Sequence, residues 1–133
     1  MQHETGFQTS VINQLRKLGF FVGVGSLTPG FPDLTVIKHS RFILLELKDW
    51  TGKSTGLKAT SMFQKAQLPF YCRNVKESVD VIHIAIKIGG CYYLYLIRTT
   101  DDVKIILDSS VGELLVESTF FHTVKELIDF ISL

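Results

Sequence analysis

The chain has little cysteine, little proline and almost no net charge. Cys72 and Cys91 are its only cysteines and form no Cys-x-x-Cys unit, which excludes a disulfide framework or a cysteine zinc site and suggests two reduced thiols. Its four histidines, His3, His39, His83 and His122, are scattered without ligand spacing. No apolar run approaches the roughly 18 residues of a membrane span, and the Met-Gln-His-Glu start offers no apolar stretch for a signal peptide. These absences lead us to expect a cytoplasmic protein with no membrane partner. A net charge of +1 argues against indiscriminate, strongly basic coating of nucleic acid. No internal repeat or low-complexity tract occurs.

What is present is an ordinary globular mixture, 46% hydrophobic and 20% charged, so disorder is not expected. A chain of 133 residues is read as one domain, 1–133, able to bury a core of its own. Its charges are unevenly spread. Residues 30–76 hold eight lysines or arginines against three acids, and residues 101–133 hold two lysines against seven acids. A basic centre with an acidic C-terminal lobe suits a protein that brings a phosphate backbone to one surface.

Periodicity gives a helix over 3–18, from the stripe Phe7, Val11, Ile12, Leu15 and Leu18, with Gly19 as its stop. A short strand at 20–24 and a loop at 26–32 follow. Residues 34–38 and 42–47 are apolar and partly β-branched, the signal for a hairpin. A second helix is expected over 60–72, with Pro69 bending or ending it. Strands are read at 81–88, 91–97 and 103–107, with a Gly89-Gly90 turn and a final amphipathic helix at 123–131. Tyr92, Tyr93 and Tyr95 are read as packing residues, because adjacent strand residues point to opposite faces.

The hairpin carries the chemistry. If its turn is centred on His39-Ser40, Asp33 falls opposite Glu46 and Thr35 opposite Leu44. Alternation then puts Glu46 and Lys48 on one side, beside Asp33. Two carboxylates brought together repel and lose solvation. A divalent cation resolves that conflict, and oxygen ligands suit Mg²⁺. The competing interpretation is an ordinary strand-end ion pair, with Asp33 a turn residue after Pro32.

The string Thr28-Pro29-Gly30-Phe31-Pro32-Asp33-Leu34, then Leu45-Glu46-Leu47-Lys48, then Ser61 and Gln64, resembles the PD-(D/E)XK nuclease superfamily. It is most similar to the VRR-NUC branch, with archaeal Holliday-junction resolvases as a related group. The resemblance covers roughly residues 4–75. It implies Asp33 and Glu46 as metal ligands with the Leu47 carbonyl as a third, Lys48 as the catalytic lysine, and Gln64 as a water- or phosphate-orienting residue. Glu4 matches an acidic position on the helix before the core; the alternative for Glu4 is a charge stabilising the helix N-terminus. The glycine-rich stretch 49–60 is longer than the family pattern.

The implied fold is α/β, a restriction-endonuclease-like core of αβββαβ order with a mixed sheet flanked by helices, over about 3–88. A β-rich C-terminal extension and final helix would occupy about 89–133. The implied activity is a Mg²⁺-dependent DNA endonuclease, with Mn²⁺ able to substitute, structure-selective for Holliday junctions or flaps in repair or recombination. A sequence-specific restriction or homing endonuclease is the alternative, and a catalytically inactive nucleic-acid-binding relative is another. The segment 50–59 is read as flexible and basic, with Lys53 and Lys58 as DNA contacts, Lys65 facing phosphate, and Trp50 folded onto the core edge. A homodimer is expected, built from the strands and apolar helix stripe of the C-terminal third.

Overall fold

A computed structural model describes residues 6–25, 29–77 and 81–133. The first helix, α1 (Gly6–Lys17), buries Phe7, Val11, Ile12 and Leu15, the three-and-four spacing that makes one apolar stripe. It closes in a Schellman cap. Gly19 takes φ +88°, its N–H donates to the Arg16 carbonyl, and the Phe20 N–H reaches back to the Leu15 carbonyl. Glycine suits that place because left-handed backbone strains a residue with a Cβ. The cap turns the chain directly into β1 (Phe21–Val24).

Strands β2 (Leu34–Lys38) and β3 (Arg41–Asp49) form the hairpin. Leu34 pairs with Leu45, Thr35 with Leu44 and Lys38 with Arg41, the register that a turn at His39-Ser40 requires. Both turn residues take positive φ, 49° and 65°, as in a type I′ turn whose twist matches its strands. One 3-10 turn (Ala59–Met62) and helix α2 (Gln67–Glu77) then carry the chain across to β4 (Ile82–Ile88), parallel to β3. β5 (Cys91–Ile97) returns antiparallel. Helices α3 (Thr100–Asp108) and α4 (Val111–Val116), the short β6 (Thr119–Phe121) and α5 (Val124–Ile131) complete the chain. The result is an α/β fold on a six-stranded mixed sheet in the order β1-β2-β3-β4-β5-β6.

Strand alternation divides the apolar residues between two cores. Val22, Leu34, Val36, Ile43 and Leu45 pack with residues of α1 and α5 on one face. Leu44, Ile82, Ile84 and Ile86 pack with α2, α3 and α4 on the other. Among the described residues no helix is long and apolar enough to cross a membrane.

Three expectations are corrected. Residues 103–107 are helical, because Thr99 and Asp102 form a reciprocal capping box at the start of α3 and Val103 and Ile106 bury one helical face. The C-terminal extension is therefore mostly helical, not β-rich. The expected helix at 60–72 is a 3-10 turn, then α2 from Gln67, so Pro69 lies in the first turn of α2, where its missing N–H costs nothing. Finally, the stripe of α5, Leu127, Ile128 and Ile131, is buried in the chain's own core and is not free for a second copy.

The segment 50–59 is fastened to the fold. Trp50 is buried and its indole N–H donates to the Ser54 carbonyl at 2.9 Å. Backbone bonds Gly112→Thr55, Val111→Leu57 and Ala59→Ser109 strap the same segment to the α3–α4 junction.

Candidate functional site

The hairpin delivers Asp33 and Glu46 to each other through interlocked bonds. The Asp33 N–H donates to Glu46 Oε1 at 3.0 Å. The Leu47 N–H donates to Asp33 Oδ2, also at 3.0 Å. Each carboxylate thus receives a backbone donor from the strand opposite, which fixes its orientation before any ligand arrives. Leu47 points its side chain toward the α1 core, so only its backbone belongs to the site. On an extended strand the N–H and C=O of one residue look to the same edge. The Leu47 carbonyl therefore faces the side of Asp33, and continuing the register places Pro32 opposite it. Proline has no N–H to return, which leaves this carbonyl without a ladder donor.

Lys48 completes the cluster. Its Nζ lies 2.9 Å from Glu46 Oε2, donates to Gln67 Oε1 at 2.8 Å, and sits 5.0 Å from the centre of the Phe63 ring. Gln67 Nε2 donates to the same Glu46 Oε2 at 2.8 Å. The Gln67 amide is held in turn by the Gln64 N–H, which donates to its Oε1 at 2.8 Å. One buried glutamine at the start of α2 therefore joins the helix to both members of the ion pair.

Glu46 is 2% exposed. Burial pushes its carboxyl above the usual range, with the Asp33 charge adding to the rise while Lys48 and the Gln67 hydrogen bond oppose it. Tyr71, one turn beyond Gln67 on the same face of α2, is fully buried, and its hydroxyl has no hydrogen-bond partner. Burial, then the charges of Glu46 and Asp33, raise that phenol well above its ordinary value. An unsatisfied buried hydroxyl costs roughly 1–3 kcal/mol.

This donor set fits a hard divalent cation. It offers two carboxylates and a backbone carbonyl, with a phenol close enough to feel both charges and able to donate to a coordinated water. Among the described residues no group of three or more His, Cys, Asp or Glu side chains gathers, and the cluster here brings two carboxylates.

The structure brings Asp33, Glu46, Leu47 and Lys48 together and moves the glutamine. Gln64 is exposed and contributes only its backbone N–H; Gln67 fills the place expected for it. The Gln67–Tyr71 pair was missed because the helix was read one turn too early. Pro69, taken as a helix-ending residue, marks the first turn and would have set the correct phase. Glu4 lies outside the described residues. Lys53, Lys58 and Lys65 are all exposed, and the Lys53 ammonium rests 4.8 Å from the Trp50 ring centre. None of the three touches the carboxylate cluster.

Gln67→Ala is expected to lose about 2 kcal/mol of stability, since it strands a buried carboxylate bond, an ammonium bond and a backbone N–H. Gln64→Ala removes none of these and should melt within about 0.5 kcal/mol of wild type. Chemical denaturation of both variants checks the reassignment; equal losses would restore Gln64.

No protein-family model matches the chain, and no curated protein matches it in sequence.

Proposed function

We propose that this chain is a metal-dependent DNA endonuclease of PD-(D/E)XK type with a restriction-endonuclease-like core. The observation that carries the reading is the meeting of Asp33, Glu46 and Lys48 at one end of the β2–β3 hairpin, with both carboxylates clamped by backbone donors. The element order from α1 through β4 agrees with that core.

Asp33, Glu46 and the Leu47 carbonyl would hold Mg²⁺, or Mn²⁺ in its place, which would supply Lewis acidity toward a phosphoryl oxygen and a bound water. The remaining steps belong to the chain. Lys48 presents a positive charge to the oxygens on which negative charge builds as the phosphodiester is attacked. Gln67 keeps the ammonium on that side, using one amide oxygen for Lys48 and one amide N–H for Glu46. Tyr71 supplies a hydroxyl donor from the helix side. Exposed Lys53, Lys58 and Lys65 attract the backbone and make binding fall with salt. Cleavage leaves a 5′-phosphate. Within this class a structure-selective enzyme, cutting junctions or flaps, is preferred, because the string from Pro29 to Leu34 with Glu46-Leu47-Lys48 resembles the VRR-NUC branch.

The test is a cleavage panel of Holliday junction, flap, splayed arm, single strand and linear duplex in Mg²⁺ and Mn²⁺. Calorimetry of metal binding to wild type and Asp33→Ala runs beside it. We expect branched substrates to be cut, and Asp33→Ala to bind metal at least tenfold more weakly and to cut at least about a thousandfold more slowly. Discrete fragments from linear duplex alone would establish the restriction-like alternative. Metal binding undiminished in Asp33→Ala would remove the metal assignment.

A further inference from the structure

We propose that Phe63 is a positioning residue for the catalytic lysine: its ring holds the Lys48 ammonium without drawing on the oxygens that a metal would use. Its consequence for catalysis rests on the nuclease reading of the site. The contact itself belongs to the metal-free chain.

The other two partners of the ammonium are crowded. A lysine ammonium has three N–H bonds. Glu46 Oε2 lies 2.9 Å from Nζ, and Gln67 Oε1 accepts from it at 2.8 Å. Both acceptors are shared. Glu46 Oε2 also accepts from Gln67 Nε2, Glu46 Oε1 accepts from the Asp33 N–H, and Gln67 Oε1 accepts from the Gln64 N–H. A carboxylate offers about four lone-pair sites, so three protein donors leave Glu46 roughly one for a cation. A divalent cation placed there draws on the same carboxylate that holds Lys48, and it repels the ammonium. An anchor that keeps Lys48 in place through that change must be uncharged and must not be a ligand.

Phe63 has those properties. Lys48 Nζ lies over its ring, 5.0 Å from the centre, inside the ~6 Å reach of a cation–π attraction. The ring attracts the cation through its quadrupole and offers no lone pair to a metal. Only 13% of the Lys48 side chain is exposed, so the attraction acts on a largely desolvated charge, where it is strongest.

The ring is also braced from behind. Phe63 leaves the 3-10 turn in extended conformation, with φ −113° and ψ 145°, and its N–H donates to the Thr60 carbonyl. Met62 before it is buried in the second core, and Gln64 after it is tied to Gln67. The Tyr71 ring stands nearly perpendicular to it, with centroids 6.1 Å apart. From Tyr71 the row continues through Phe70 to Phe31, two residues before Asp33. Aromatic packing thus joins the lysine end of the site to the aspartate end. A phenylalanine serving the core alone would bury its ring in that row; Phe63 is only partly buried and lies under the ammonium.

Acetylation of the metal-free chain, read residue by residue by mass spectrometry, tests the contact, and single-turnover cleavage in Mg²⁺ tests its consequence. Phe63→Leu keeps apolar bulk and removes the aromatic face, whereas Phe63→Tyr keeps both. Phe31→Leu loosens the far end of the aromatic row without touching the lysine. Relative to exposed Lys65, Lys48 should react about tenfold faster in Phe63→Leu than in wild type. In Phe63→Tyr and Phe31→Leu it should stay within about twofold of wild type. The maximal cleavage rate should fall about tenfold in Phe63→Leu at an unchanged half-saturating DNA concentration, and Phe63→Tyr should restore it. Unchanged Lys48 labelling in Phe63→Leu, or equal acceleration in Phe31→Leu, would overturn the proposal. Faster labelling with an unchanged cleavage rate would refute the positioning role. No cleavage by wild type, with labelling as expected, would instead remove the nuclease reading and the positioning role with it.

Discussion

Lys48→Ala should cut DNA at least about a thousandfold more slowly than wild type, since a preorganised charge at a phosphoryl centre contributes about two to three orders of magnitude or more. The same substitution should also destabilise the metal-free chain. Glu46 is 2% exposed and its ion pair with Lys48 spans 2.9 Å. Removing the cation leaves a buried carboxylate with Gln67 and the Asp33 N–H as its remaining donors, a change that costs about 3 kcal/mol. Mg²⁺ restores a positive charge at that place, so it should raise the melting temperature of Lys48→Ala more than that of wild type. Lys48→Arg retains charge but cannot fit a planar fork into the space between Gln67 Oε1, Glu46 Oε2 and the Phe63 ring. It should recover much of the stability and little of the rate. Single-turnover cleavage and thermal melts with and without Mg²⁺ separate these effects. A Lys48→Ala chain that cuts as fast as wild type would refute the role given to the lysine.

The hairpin was legible in the sequence because its determinants are local. A period of two fixes the faces, and a two-residue turn fixes the register, so Asp33, Glu46 and Lys48 could be brought together from spacing alone. The errors lie where a longer-range term overrides local preference. Val103-Lys-Ile-Ile-Leu is β-branched enough to read as a strand, yet Thr99 and Asp102 cap a helix there and Ile106 docks it on the second core. Gln64 and Gln67 have the same chemistry, and only the phase of α2 decides which one meets Lys48. That phase is set by the 3-10 turn in which Ala59 and Met62 are buried, a tertiary contact that periodicity does not encode.

Gly30→Ala is expected to be as damaging as any substitution outside the carboxylate cluster, although Gly30 makes no polar contact with it. Gly30 has φ +86°, and a Cβ built there would overlap the Ala66 carbonyl oxygen, lie 2.7 Å from the Ala66 carbonyl carbon and 2.9 Å from Phe70 Cβ. Left-handed backbone alone costs an alanine about 1–2 kcal/mol. The overlap adds to this because the obstacle is backbone at the start of α2, which cannot rotate aside; overpacking of this kind costs about 1–3 kcal/mol more. Relief requires α2 to move away from the loop that leads into Asp33. Gln67 and Tyr71 ride on α2, so its displacement pulls the amide away from Lys48 and Glu46 while Asp33 stays with the hairpin. We therefore expect a stability loss of about 3 kcal/mol, and a single-turnover rate at least tenfold lower in the molecules that remain folded. Gly52→Ala is the matched control. Gly52 has φ +78° but nothing within 4 Å of its Cβ position, so it should lose only the backbone share, about 1 kcal/mol, and cut normally. Equal rates for the two variants, measured below their melting temperatures, would show that the contact between this loop and α2 serves folding alone.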